Sequence, residues 1–189
     1  IRPAFGAKGL MSLDKIRALL LEYLPHDSFE GLKIPAVITA TNFNECKVAY
    51  FRSGELINPI LASSAIPVFF KPIHIGGKIY IDGGILNNFP VEPIKSECDF
   101  IIGSSCNHLP EADRIESYRR LVERSIIMSI NSDMAVKAEY CDVIIEPHGM
   151  GATSVFDVRK TEEIYWLAYE AALRKLKTDP KLKSLLATK

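Results

Sequence analysis

Lys78-Ile79-Tyr80-Ile81-Asp82-Gly83-Gly84-Ile85-Leu86-Asn87-Asn88-Phe89-Pro90 is the stretch from which the rest of the sequence is best read. Ile79, Tyr80 and Ile81 carry strand-forming side chains, so Asp82 stands at the end of a predicted strand. Two glycines follow it at once. Glycine admits φ > 0 and lets a second backbone or a substrate come close, because no Cβ intervenes. A carboxylate at a strand end beside bare backbone is where a general base would face a cleft. The same tripeptide is also a common hairpin turn, Asp-Gly being favoured there. Asp82, Gly83 and Gly84 alone leave both readings open.

The flanks narrow the choice. Upstream, Asn58-Pro59-Ile60-Leu61-Ala62-Ser63-Ser64-Ala65-Ile66-Pro67 predicts a short helix pressed closely against a neighbour, with Ser63 and Ser64 among its packing residues and Pro67 as its stop. Downstream, Asn87-Asn88-Phe89-Pro90-Val91 reads as a turn leading into a short helix near Phe89–Lys95. In this order, the Ala-Ser-x-Ala-x-Pro segment, Asp-Gly-Gly and Asn-Asn-x-Pro resemble the patatin-like phospholipase family. Gly31-Leu32-Lys33-Ile34-Pro35, Phe51-Arg52-Ser53-Gly54 and Ser154-Val155-Phe156-Asp157 extend the likeness along the chain as more generic segments.

Composition sets wide bounds. The 189 residues suffice for one domain with a substantial core, and 48% hydrophobic with 24% charged residues is ordinary for a globular protein. Lys plus Arg equals Asp plus Glu at 23 each, so no overall field points to nucleic acid. Cys46, Cys98, Cys106 and Cys141 are scattered without a Cys-x-x-Cys pair, which fits a reducing, cytoplasmic setting. Cys106 and His108 have ligand-like spacing but no further ligands nearby, so no metal is expected.

Apolar patterning supplies the elements. Ser12 is placed to cap a helix running to about Tyr23, with Leu13, Ile16, Leu20 and Leu24 on one face and Pro25 beyond its end. Ile34–Thr41 is a nearly continuous apolar run, read as an interior strand covered on both faces. Cys46–Phe51 alternates as a second strand joined by a hairpin. Asp99–Ser104 is a further buried strand, and Val143–Ile145 a short strand ending at Glu146-Pro147. Asp113 with Glu116 begins a helix to about Met134 in capping-box fashion. Ile115, Tyr118, Leu121 and Val122 should face inward there, with Ile126–Ile130 deeply buried. Asp157 or Thr161 should cap a terminal helix through Leu176, and the Lys-rich tail after Thr178 should fray. Alternating strands and helices define an α/β protein with helices on both faces of a sheet.

The resemblance implies a three-layer α/β/α fold, incomplete on its N-terminal side, with residues 1–189 forming the C-terminal portion of one catalytic domain. It implies a Ser–Asp dyad that hydrolyses carboxylic esters of phospholipids or other acyl lipids, without a cofactor and with transient contact to a membrane surface. Asp82 is the residue onto which the dyad base maps. No serine of this sequence lies in Gly-x-Ser-x-Gly, and no Gly-rich oxyanion loop is present. Gly103-Ser104-Ser105-Cys106-Asn107 comes nearest, with Asn in place of the last Gly, and reads as a strand end. His26, His74, His108 and His148 would be needed only for a conventional triad, with His148 best placed after a strand. Since the chain opens on Ile1, the missing N-terminal segment is expected to carry the nucleophile, and residues 1–189 alone should be inactive. The alternative is a non-catalytic binding or regulatory domain of the same fold.

Overall fold

The computed structural model describes residues 11–106, 111, 114–115, 117–149 and 158–187. The capping box at Asp113 and Glu116, His108 and Ser154–Asp157 lie outside the described residues. The chain forms two compact units, Ile1–Pro93 and Ile94–Lys189, and mixes helices with open sheets, as an α/β fold requires.

The first unit is built on a four-stranded sheet. Strands β1 (Ile38–Asn42), β2 (Lys47–Phe51), β3 (Ile73–Ile75) and β4 (Lys78–Asp82) are ordered β2-β1-β4-β3, each antiparallel to its neighbours. β1 is interior, as its apolar run predicts, and Thr39 through Asn42 are all buried. Its start is later than expected, because Ile34 lies in the preceding loop, 79% exposed. The short β3 gives the sheet a second hairpin that the alternation of apolar residues did not reveal. Gly76 and Gly77 form its two-residue turn with φ of +55° and +78°. Both central residues at positive φ is the hairpin turn whose twist matches its strands.

Helix α1 (Asp14–Tyr23) packs against helix α2 (Ile57–Ser63), which lies on this sheet. Ser12 accepts the Asp14 N–H at 3.1 Å, but Leu13 rather than Ser12 holds the N-cap position of α1, which has no side-chain cap. Leu13 is buried and Leu20 packs beside it, whereas Ile16 lies off that line and stays 44% exposed. α2 has no capping side chain of its own. Asp27 supplies the cap from a distance, its Oδ1 accepting the N–H groups of Leu56 and Ile57 at 3.1 and 2.6 Å. Pro59 fits in the first turn, where an N–H has no intrahelical acceptor to lose. Ile57 and Leu61 are buried against Leu13 and Ala65, each contributing roughly 1.5–3 kcal/mol by removal from water. On the sheet side Ala62 packs against Ala40 and Tyr80, where a larger residue would hold the helix away. The close-packing positions are therefore Ala62 and Ala65. Contrary to expectation, Ser64 is exposed and its hydroxyl donates to the Ile60 carbonyl at 3.1 Å.

The segment after the Asp-Gly-Gly turn is a run of turns over 92–97, not the short helix expected. Pro93 lacks the N–H a helix there would use.

In the second unit, β5 (Ile102–Ser104) and β6 (Val143–Ile145) pair in parallel, Gly103 opposite Ile144. Helix α3 (Tyr118–Ile130) is followed by the short α4 (Met134–Ala138). Tyr118 is 80% exposed, Ile115 68%, and Ile126 and Met128 are also open, so the deep burial expected there is absent. Its apolar residues occupy more than one face, and only Ile127 and Ile130 at that end turn partly inward. Helix α5 (Thr161–Thr178) begins at Thr161 without a side-chain cap. The tail beyond it is ordered, not frayed: Pro180–Ala187 forms α6, with Leu182 buried. Asp179 accepts the N–H groups of Lys181 and Leu182 at 2.9 and 3.4 Å, and Pro180 occupies the first helical position. Asp before Pro is a strong helix start.

Candidate active site

Asp82 ends β4 directly opposite Ala40 of β1, and its N–H donates to the carbonyl of Ala65 at 3.1 Å. The small-residue segment that closes α2 thus grips the backbone of the aspartate itself. The chain does not return as a hairpin at this point. It enters a 3-10 turn over Gly83–Ile85, and Asp82 Oδ1 accepts the N–H of Gly84 at 2.7 Å. The hairpin reading of the tripeptide belongs instead to Gly76-Gly77, one strand earlier.

Neither glycine after Asp82 is there for positive φ, which among the described residues glycine adopts at 54, 76, 77 and 149. Space is the reason. A Cβ on Gly83 would lie 2.3 Å from the carbonyl oxygen of Thr39 and 2.8 Å from its carbon. The turn is pressed onto the backbone of the central strand. A Cβ on Gly84 would lie 2.8 Å from Asn88 Oδ1 and 3.0 Å from Asp82 Oδ1. Two side-chain oxygens thus converge on the bare side of that glycine.

The carboxylate is mostly buried. Burial pushes the Asp82 pKa above the usual aspartate range, and the Gly84 N–H draws it part of the way back. Among the described residues that amide is its one hydrogen-bond donor, which leaves Oδ2 unengaged. A carboxylate fixed through one oxygen, open at the other and made more basic by its surroundings is suited to accept a proton.

Asn87 belongs to the same construction, although local patterning assigns it only a turn role. It is 4% exposed, and its N–H donates to the Gly83 carbonyl at 2.9 Å. Its Nδ2 donates to Tyr50 Oη at 2.9 Å and to Glu92 Oε2 at 3.1 Å. An amide three residues after the glycine pair was the available signal, but its partners are 37 and 5 residues away.

Ser105, the nearest approach to a nucleophile motif, lies at a strand end as expected. It follows β5, is 6% exposed, and its Oγ donates to Glu146 Oε1 at 3.1 Å while its N–H donates to the Ile145 carbonyl at 3.0 Å. These bonds tie the ends of β5 and β6 together. Ser105→Ala is expected to cost about 1 kcal/mol of stability and to leave any ester hydrolysis by the whole protein unchanged. Loss of activity in a folded Ser105→Ala protein would contradict that role. His26, His74 and His148 are all exposed.

Residues 1–95 match the family model for patatin-like phospholipase, which accounts for half of the sequence and all of the first unit. An uncharacterised NTE family protein of Mycobacterium tuberculosis is 33% identical over 106 residues, covering 56% of this chain and 29% of the relative. A probable lipid hydrolase of Invertebrate iridescent virus 6 is 36% identical over 71 residues, covering 35% of this chain and 24% of the relative. The chain spans less than a third of the length of these curated relatives.

Proposed function

The chain belongs to the patatin-like phospholipase family, and from that premise we propose that the whole protein is a lipid acyl hydrolase in which Asp82 is the proton acceptor. The observation that carries this reading is the Asp82 carboxylate itself, one oxygen held by Gly84, the other without a donor among the described residues, its basicity raised by burial. The similarity to a probable lipid hydrolase supports an acyl lipid as the substrate class. Residues 1–189 contain no Gly-x-Ser-x-Gly, so the reading places the nucleophilic serine in another segment of the whole protein.

In this reaction Asp82 takes the serine proton as Oγ bonds to the ester carbonyl carbon, giving a tetrahedral oxyanion. Collapse of that intermediate breaks the ester C–O bond, and Asp82 returns the proton to the departing alcohol. Water then attacks the acyl-serine, giving its proton to Asp82. The second collapse breaks the acyl C–Oγ bond and releases the carboxylic acid, and Asp82 returns its proton to the serine oxygen. An aspartate at its ordinary pKa of about 3.9 would be a weak base for both attacks, and burial corrects this in the useful direction. The rate should therefore fall at acid pH as Asp82 is protonated, with the fall beginning above the usual aspartate range.

No helix among the described residues is long and apolar enough to cross a membrane. Substrate held in a bilayer would be reached by transient surface contact, and a cytoplasmic location remains part of the proposal.

A serine-directed fluorophosphonate tests the assignment. The whole protein should be labelled covalently and should release fatty acid from phosphatidylcholine vesicles. Purified residues 1–189 should be neither labelled nor active on a p-nitrophenyl ester. Robust turnover by residues 1–189, or an unlabelled and inactive whole protein, would overturn the proposal, the second result favouring a binding domain.

A further inference from the structure

Gly83 is held from two directions. On one side its Cα abuts the carbonyl of Thr39, leaving no space for a side chain. On the other, its own carbonyl accepts the N–H of Asn87. The Asn87 side chain then reaches Tyr50 Oη on β2. Tyr50 is the register partner of Thr39, the residue whose carbonyl Gly83 touches. The contacts therefore close a circuit, Gly83 to Asn87 to Tyr50 to Thr39 and back to Gly83, with Glu92 as a second acceptor for the Asn87 amide. Gly84, whose N–H holds Asp82 Oδ1, is the next residue along that clamped backbone.

We propose that Asn87 is a positioning residue for Asp82: its amide, bonded to Tyr50 and Glu92, locks the Gly83–Gly84 backbone and thereby orients the carboxylate. The inference rests on the reading of Asp82 as the base. Asn87 does not touch the reacting atoms in this account. An amide buried here costs free energy unless it is bonded, and its bonds run to a neighbouring strand and to the chain beyond the turn. Both anchors resist rotation of the turn about β4. Without them the turn would still abut Thr39, but its carbonyl end would be free to swing and the Gly84 N–H would leave Oδ1.

Two variants of the whole protein test this. Asn87→Ala removes the side-chain bonds to Tyr50 and Glu92, while Tyr50→Phe removes one acceptor and keeps the ring. The direct readout is hydrogen exchange at the Gly84 amide, whose partner is Asp82 Oδ1. Exchange should accelerate by about tenfold or more in Asn87→Ala and by less in Tyr50→Phe, while the β1–β2 ladder keeps its rates. In hydrolysis, kcat should fall by about tenfold or more with KM little changed, as expected for a mispositioned group acting in the transition state. The acid limb of the rate profile should move to higher pH, since the Gly84 N–H that draws the Asp82 pKa down is lost. A folded Asn87→Ala protein with parental Gly84 exchange and a parental acid limb would overturn the proposal. Should Asn87→Ala fail to fold, unaltered Gly84 exchange in Tyr50→Phe would overturn it equally. If the parent shows no Asp82-dependent turnover, the assignment of the base falls, while Gly84 exchange still decides whether Asn87 holds that carboxylate.

Discussion

Asp82→Asn will lower ester hydrolysis by the whole protein by about three to four orders of magnitude, the scale seen when an acyl-transfer base or its partner is disabled, and will raise the melting temperature at neutral pH. Asn keeps the size of Asp and an Oδ1 that can accept the Gly84 N–H, so the turn retains its bond. It loses the lone pair that takes the serine proton. The stability gain follows from the sign of the pKa shift. Burial makes the folded-state pKa of Asp82 higher than in the unfolded chain, the Gly84 N–H offsetting only part of this. Between those two values the folded protein binds more protons, so stability falls as pH rises through the window. The contribution of Asp82 is complete below the ordinary aspartate pKa and lost above its raised folded value. At neutral pH the parent thus holds a charge its surroundings disfavour, and the Asn variant does not. The melting difference should shrink as pH is lowered through the same window. Near-parental kcat in Asp82→Asn would make Asp82 a turn residue only, since Asn serves well in turns. A lower melting temperature at neutral pH would contradict the burial argument.

Local patterning read the elements that local interactions determine. The apolar run before Thr41 marked the interior strand, Val143–Ile145 marked β6, and the small residues at Ala62 and Ala65 marked a helix packed close to its sheet. The Asp82 turn was legible because a strand end, two glycines and a flanking helix lie within about thirty residues. Its geometry was not, since Gly83 answers to the Thr39 carbonyl on another strand and no local rule encodes that approach. The Asn87 clamp was hidden for the same reason, its Tyr50 partner lying on β2. Three-residue β3 was too short for periodicity to show. α6 is a different case. Asp179-Pro180 is a sufficient local start signal, and the density of lysines masked it. On α3 the apolar residues at Ile126 and Met128 promised burial that the described residues do not provide, because sequence records a capacity for burial and not the surface that fulfils it.

Gly83→Ala will destabilise the protein more than alanine at any other glycine of this region and will lower hydrolysis by about 100-fold, and the comparison with Gly84 and Gly77 separates the causes. At Gly83 the new Cβ would meet Thr39 O at 2.3 Å, Thr39 C at 2.8 Å and Ala40 Cα at 3.3 Å, all backbone of the central strand. Thr39 is paired to β2 and the next residue, Ala40, to both β2 and β4, so this backbone cannot retreat without breaking ladder bonds. Overpacking of this kind costs roughly 1–3 kcal/mol or more, and displacing the turn by about 1 Å would cost about 100-fold in rate. At Gly84 the neighbours are the ends of side chains, Asn88 Oδ1 and Asp82 Oδ1, which can move. Gly84→Ala should therefore leave the melt nearly parental while pushing the Asp82 carboxylate aside and lowering kcat. At Gly77 a Cβ meets open space, and the cost is the positive φ of +78°, roughly 1–2 kcal/mol with no effect on kcat. Melts and kcat for the three variants give different orders, Gly83, Gly77, Gly84 for stability lost and Gly83, Gly84, Gly77 for activity lost. A Gly83→Ala protein with a parental melt would mean that the turn does not rest on Thr39. Parental kcat in Gly84→Ala would mean that the carboxylate beside it need not be held in place for hydrolysis, and the site would have to be sought elsewhere.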